Sequence, residues 1–262
     1  MTTRRDVIKA GAGLAAILAS GKAPAGIVKS MLGARGALLA AQKGWTNPYV
    51  TDGLVAQWDG EWNAGGGVHD PNAMVWKNLV NGGLDLLVGS YGNWSDNSLV
   101  CLGGRIPAYA DEFGALLPYN TTKTVTIVAK TDSNGIIYTE GSGNYNGSVL
   151  VTKSGDYLTL TRVASASAGL SNRVHNTVQL FSLTFIVSNS NVVYAAVNGD
   201  SKLLSYSFSG KYSNRVTIGD RYNDTSNPFT GEVFAISEYS RALTAEEIAA
   251  NYAVDKARFG LP

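Results

Sequence analysis

Seven short runs rich in Val, Ile, Thr and Tyr recur along the chain: Val125 to Lys130, Gly135 to Thr139, Val149 to Thr152, Tyr157 to Arg162, Leu180 to Val187, Val192 to Val197 and Leu203 to Phe208. Clusters of Gly, Asn, Asp and Ser separate them, the residues that supply hairpin turns. An α/β arrangement needs a helical crossover between successive strands, and no long helical pattern lies between these runs. The expected fold is therefore all-β, a two-sheet antiparallel jelly-roll sandwich. After the first 50 residues about 210 remain, an ordinary size for one closed sandwich core.

The C-terminal run Arg215 to Phe259 shows how such a sandwich would close. Residues 229–243 alternate apolar and polar side chains, which predicts a strand with Val233 and Ala235 on one face and Phe234 and Ile236 on the other. A helix should follow. Thr244 can accept from the N–H of Glu247 while the Glu247 carboxylate reaches back to the N–H of Thr244, and Gly260 and Pro262 supply the stop. Ile248, Tyr252 and Phe259 then form one apolar stripe, so this helix should lie flat on a sheet.

The glycine-containing strand Phe229-Thr230-Gly231-Glu232-Val233, followed by the Tyr-x-Arg-Ala-Leu-Thr-x-Glu-Glu-Ile segment from Tyr239 to Ile248, resembles the end of laminin G-like domains. These belong to the concanavalin A-like lectin and glucanase superfamily. Asn191 to Asp200 is similar to the hairpin of that family, and Asn198-Gly199 suits a type I′ turn with positive φ at both central residues. Residues 53–80 resemble the opening strand of bacterial and phage-borne members. The resemblance spans Thr51 to Phe259, with the middle matched only by strand rhythm. It implies a domain over 51–262, preceded by a segment over 1–25 and a helical or linker segment over 26–50.

Residues 3–9, Thr-Arg-Arg-Asp-Val-Ile-Lys, follow a twin-arginine export pattern. Ala10 to Ser20 forms a mildly apolar run too short to span a bilayer, and Ala23-Pro24-Ala25 reads as a cleavage site. A retained basic helix, forming an N-terminal helical arm, is the alternative. Up to Lys43 there are seven basic residues against Asp6, whereas the remainder holds 14 basic and 19 acidic residues. The overall charge of +1 thus conceals a basic arm on a mildly acidic domain, which lacks the basic surface expected of a nucleic-acid partner. Membrane contact is expected only through the export segment. Cys101 is the single cysteine, so no intrachain disulfide can form, and within Leu99-Val100-Cys101-Leu102 it reads as a buried apolar side chain.

Glucanases of this superfamily carry a Glu-x-Asp-x-Glu arrangement on one strand, where alternate carboxylates flank a glycosidic bond. This chain has no such triplet. Its nearest approach is Asp59-Gly60-Glu61, at the point where the glycines that follow should end the strand. The resemblance also implies calcium at the sandwich rim, held by oxygen ligands. Asp59, Glu61, Asp70, Asp220 and Asp224 are the candidates, and no other cofactor is expected.

Sugar recognition stacks an aromatic face on the ring while amides and carboxylates bond its hydroxyls. Trp62 with Asn63, His69 beside Asp70, Tyr91 with Asn93 and Trp94, Tyr145 with Asn146, and Arg221-Tyr222-Asn223 fit that description, whereas Trp58 and Trp76 read as core. The expectation is a non-enzymatic, exported or surface-displayed module that binds a glycan or an extracellular protein partner. Two alternatives stand beside it. One is a structural or adhesive subunit of a virion or surface assembly docked through residues 1–45, with homo-oligomerisation open, and the other is a glycoside hydrolase without the familiar motif.

Overall fold

The computed structural model describes residues 45–81, 83–103, 106–108, 122–131, 133–140, 148–154, 157–163, 170–176, 180–188, 191–206, 216–219 and 228–262. The export pattern and the helical arm expected before residue 45 lie outside them. Thr46 to Pro262 forms one compact unit.

The chain lays down sixteen strands and one helix in the described residues. They are β1 (Leu54–Asp59), β2 (Val75–Trp76), β3 (Leu86–Leu87), β4 (Gly92–Trp94), β5 (Leu99–Leu102), β6 (Ile106–Ala108), β7 (Lys123–Lys130) and β8 (Gly135–Glu140), then β9 (Ser148–Ser154), β10 (Tyr157–Val163), β11 (Leu170–Asn176), β12 (Leu180–Ser188), β13 (Asn191–Val197), β14 (Asp200–Tyr206), β15 (Val216–Ile218) and β16 (Thr230–Tyr239). The helix α1 spans Ala245–Phe259. The larger sheet has eight strands, ordered β14-β13-β12-β7-β16-β5-β4 with β1 also on β16, and the smaller has six, ordered β11-β10-β9-β8-β15-β6. The pairings are antiparallel. The all-β sandwich expected from strand rhythm is therefore the observed fold.

Alternation along the strands explains the layers. Val125, Ile127 and Ala129 of β7 point into a core with Phe181, Leu183 and Phe185 of β12, and Tyr138, Val216 and Ile218 reach it from the smaller sheet. Trp58, Trp76 and Cys101 are in the same core, as their strand contexts indicated. The opposite face of the larger sheet carries Val128, Phe234 and Ala235 against Phe259 and Leu261, and Tyr239 and Ile186 against Leu243 and Ile248. So α1 does lie on this face through the Ile248 to Phe259 stripe.

One strand departs from strict alternation. A bulge in β16 between Val233 and Ala235 puts both Val233 and Ile236 into the inter-sheet core and both Phe234 and Ala235 under α1. The pairing expected from period two, Val233 with Ala235 and Phe234 with Ile236, is thereby corrected. The extra residue in a bulge shifts the phase by one, which no apolar/polar pattern reveals.

The capping box at Thr244 is present, with Glu247 N–H donating to Thr244 Oγ1 at 3.3 Å and Thr244 N–H donating to Glu247 Oε2 at 2.9 Å. Arg241 donates to both Glu247 oxygens at 2.7 and 2.6 Å, and its Nε pairs with Asp52 at 2.9 Å. The arginine of the Tyr-x-Arg-Ala-Leu segment thus ties the helix start to the residues before β1. Gly260 closes α1 in the left-handed conformation, φ 70°, its N–H donating to Lys256 O at 3.1 Å. The β13–β14 turn has φ 50° at Asn198 and 84° at Gly199, as a type I′ turn requires.

Candidate functional site

Two regions concentrate the residues singled out from sequence. The first begins where β1 ends. Asp59 is fully buried, and Arg258 of α1 donates from Nη1 to Asp59 Oδ2 at 2.7 Å and from Nη2 to Asp59 Oδ1 at 2.9 Å. Nη2 also reaches Glu61 Oε2 at 2.7 Å, and Nη1 donates to the Tyr49 hydroxyl at 2.8 Å. The Trp62 ring stacks on the same guanidinium, 3.9 Å from its carbon. Burial pushes the Asp59 carboxyl above the usual range and Arg258 opposes that shift. Burial by itself would lower the Arg258 pKa, but its hydrogen bonds to Asp59 hold it above the ordinary arginine value. A two-pronged pair of this geometry is an ionised one.

This arrangement fixes what Asp59 and Glu61 are used for. Asp59 and Glu61 bracket a guanidinium, so neither is placed to flank a glycosidic bond. The same cation would repel calcium at Asp59, and Asp70 uses its Oδ1 to accept from Asn72 N–H at 2.9 Å. No group of three or more His, Cys, Asp or Glu among the described residues could hold a metal. Asp220 and Asp224 lie outside the described residues, as do Arg221, Tyr222, Asn223 and Tyr145.

Several predicted ligand contacts are engaged by other residues of the domain. Asn63 is fully buried, its Nδ2 donating to Asp70 O at 2.8 Å while its Oδ1 accepts from Asp70 N–H at 2.7 Å. The His69 ring Nδ1 lies 3.0 Å from Gly60 O. Together these bonds pin the glycine-rich loop onto the end of β1. Gly60 itself is required there, because a Cβ would sit 2.5 Å from Asn97 O. Trp62 is held on Arg258. Trp94 donates from Nε1 to Ala73 O at 2.7 Å and meets Trp76 edge-on, with centroids 5.3 Å apart.

The second region is outward-facing. A 3-10 turn, Gly89–Tyr91, feeds β4, the edge strand of the larger sheet. Tyr91 is 51% exposed, and Asn93 two residues on is exposed as well. The register that sets Gly92 opposite Cys101 places Leu102, 54% exposed, beside Tyr91. Val75 pairs with Leu87, 53% exposed, and Val88 N–H donates to the carbonyl of Met74, 62% exposed, at 3.0 Å. Tyr91 and Leu102 are thus paired exposed apolar side chains at this edge, while Met74 and Leu87, exposed as well, sit on the separate β2–β3 pair. Isolated exposed apolar residues are ordinary, but a contiguous group with a polar rim marks an interaction face. Tyr91 and Asn93 were visible in the sequence, whereas Met74 and Leu87 were not, since nothing in a two-residue strand says which side faces water.

No protein-family model matches the chain, and no curated protein matches it in sequence. Solved structures do match. A Trypanosoma rangeli sialidase in complex with sialic acid superposes with a TM-score of 0.57 at 14% identity, covering 88% of this chain and 39% of the sialidase. The botulinum neurotoxin serotype G binding domain superposes with a TM-score of 0.53 at 15% identity, covering 78% of this chain and 51% of that one. The scaffold is a β-sandwich. It spans about two fifths of the length of the sialidase and about half of the toxin domain. The expectation of a non-enzymatic protein is overturned by this comparison, because the matched structures include sialidases. A missing glucanase triplet therefore excludes nothing on this scaffold.

Proposed function

We propose that this chain is a laminin G-like recognition module, exported or displayed on a surface, and that it binds carbohydrate through the sheet edge built by Tyr91, Asn93 and Leu102. The observation that carries this reading is the exposure of the Tyr91 ring beside Leu102 and the exposed Asn93 amide on an edge strand, in a domain where Trp58, Trp62, Trp76 and Trp94 are engaged by other residues of the domain. An exposed tyrosine stacks on the C–H face of a sugar ring, and Asn93 and Ser90 offer donors and acceptors for its hydroxyls. The similar structures, a sialidase and a toxin binding domain, support a carbohydrate or surface partner without naming one.

The test is a glycan array probed with the full chain and with Tyr91→Ala and Asn93→Ala. Binding that is lost in Tyr91→Ala, with the melting temperature unchanged, is the expected result. Equal binding by all three proteins would sink the assignment of this face. The structures matched include a hydrolase, so the same preparation is assayed for release of p-nitrophenol from aryl glycosides, a sialoside among them. Turnover that survives further purification would replace simple recognition with glycoside hydrolysis.

A further inference from the structure

Beneath α1 lies a buried carboxyl that the recognition face does not use. Asp255 Oδ1 accepts from the Tyr49 hydroxyl at 2.8 Å, and its Oδ2 accepts from Ser182 Oγ at 2.9 Å. These residues come from three separate elements: Tyr49 from the entry segment Thr46 to Val50, Ser182 from β12, and Asp255 from α1. One turn earlier on α1, Asn251 Oδ1 accepts from Val50 N–H at 2.9 Å. The stretch through which residues 1–45 join the domain is thus held to α1 by three hydrogen bonds, the third from Arg258 Nη1 to the Tyr49 hydroxyl, and one of the acceptors, Asp255, can be protonated.

The charges around Asp255 do not balance. The entry segment presents Tyr49, β1 and the turn after it present Asp59 and Glu61, β16 presents Tyr239, and α1 presents Asn251, Tyr252 and Arg258. Arg258 is the only cation facing this cluster among the described residues, and both of its terminal nitrogens are engaged by Asp59 and Glu61. Lys256 is exposed. Tyr239 is turned to Asn251, whose Nδ2 donates to its hydroxyl at 2.9 Å.

A neutral Asp255 completes the site, because the carboxyl can donate to Ser182 Oγ while its other oxygen still accepts from Tyr49. An ionised Asp255 adds a third carboxylate to one guanidinium in a place nearly closed to water. Burial accordingly pushes the Asp255 carboxyl up to about 7, against the hydrogen bonds from Tyr49 and Ser182 that favour the charged form.

We propose that the proton on Asp255 is a latch on the entry segment: with the proton in place Thr46 to Val50 is held against α1, and without it the segment opens more readily. The folded-state pKa lies above the ordinary value of 3.8, so the protonated form favours the closed state. That contribution is full below about pH 4, declines as the pH rises and is spent above about pH 7. The joint is therefore tight in mildly acidic medium and loose at neutral and alkaline pH.

Amide hydrogen exchange on the full chain tests this, read as the protection factor of the Val50 amide from pH 5 to 8.5 after correction for intrinsic exchange. The opening constant should rise about tenfold per pH unit between pH 5 and 7 and level off above. Asp255→Asn, which mimics the neutral carboxyl, should keep Val50 protected across the range with no such slope. Ser182→Ala removes a donor to the charged form and should carry the slope to higher pH. A flat profile in the wild-type chain, or the same slope in Asp255→Asn, would overturn the proposal. If Asp255→Asn fails to fold, the wild-type and Ser182→Ala profiles decide it, with a flat wild-type profile or an unmoved plateau counting against the latch.

Discussion

Lys123 and Glu238 offer the sharpest test of how this sandwich is held together. Both point between the sheets, with side chains only 3% and 1% exposed, and Lys123 Nζ lies 3.7 Å from Glu238 Oε1. At 3.7 Å and an effective dielectric constant of about 20, their attraction is about 4.5 kcal/mol. Removing each ion from water costs several kcal/mol, so the pair as a whole comes out near break-even. Neither Glu238 oxygen accepts a hydrogen bond in the described residues, which leaves its charge dependent on Lys123.

Lys123→Met should therefore destabilise the domain by about 3–5 kcal/mol at pH 7, the cost of an uncompensated buried charge. With a urea slope of about 2–3 kcal/mol per molar, the unfolding midpoint should fall by about 1–2 M. Burial already raises the Glu238 pKa, so in Lys123→Met the folded state binds a proton more tightly than the unfolded chain does. The loss should then be largest at neutral pH and shrink as the pH falls towards 5. Lys123→Met with Glu238→Leu should unfold within about 1 kcal/mol of the wild type, because the charge and its partner leave together. The reasoning is refuted if Lys123→Met is neutral at pH 7, or if the double variant is as unstable as the two single losses added.

The same physics applies at the end of α1. Arg258→Lys should lower stability by about 2–3 kcal/mol in urea titrations, since an ammonium cannot reproduce the two-pronged contact with Asp59 and Glu61. A lysine variant as stable as wild type would show that the fork adds nothing. Thr244→Ala should cost about 1 kcal/mol by removing the acceptor for Glu247 N–H, measured as a drop in thermal midpoint. The Cys101 thiol is buried and its pKa is pushed up to about 12 by that burial, so iodoacetamide at pH 8 should leave it unmodified in the native protein and label it in urea. Rapid labelling of the folded chain would contradict its place in the core.

What could be read from the chain was local. The capping box, the Asn198-Gly199 turn and the core positions of Trp58, Trp76 and Cys101 depend on neighbours within a few residues or on strand pattern, and the structure agrees with each. The fold class followed from strand rhythm for the same reason. The bulge at Val233 to Ala235 did not, because one added residue inverts the faces without changing composition. The candidate site was less legible still. Trp62, Asn63, His69 and Trp94 are polar-loop aromatics and amides of the kind that bind sugars, yet each is used to pin one part of the domain to another.

The sequence by itself determined that this chain builds an antiparallel sandwich closed by a capped helix, since apolar alternation and turn chemistry act over short spans. Only the tertiary structure decided which polar groups are spent internally. Arg258 meets Asp59 across 199 positions, and Tyr49 meets Asp255 across 206. Partners that far apart are chosen by sheet register and by where α1 lands. Once those choices are made, Trp62 is stacked on a guanidinium and Tyr91 is left facing solvent.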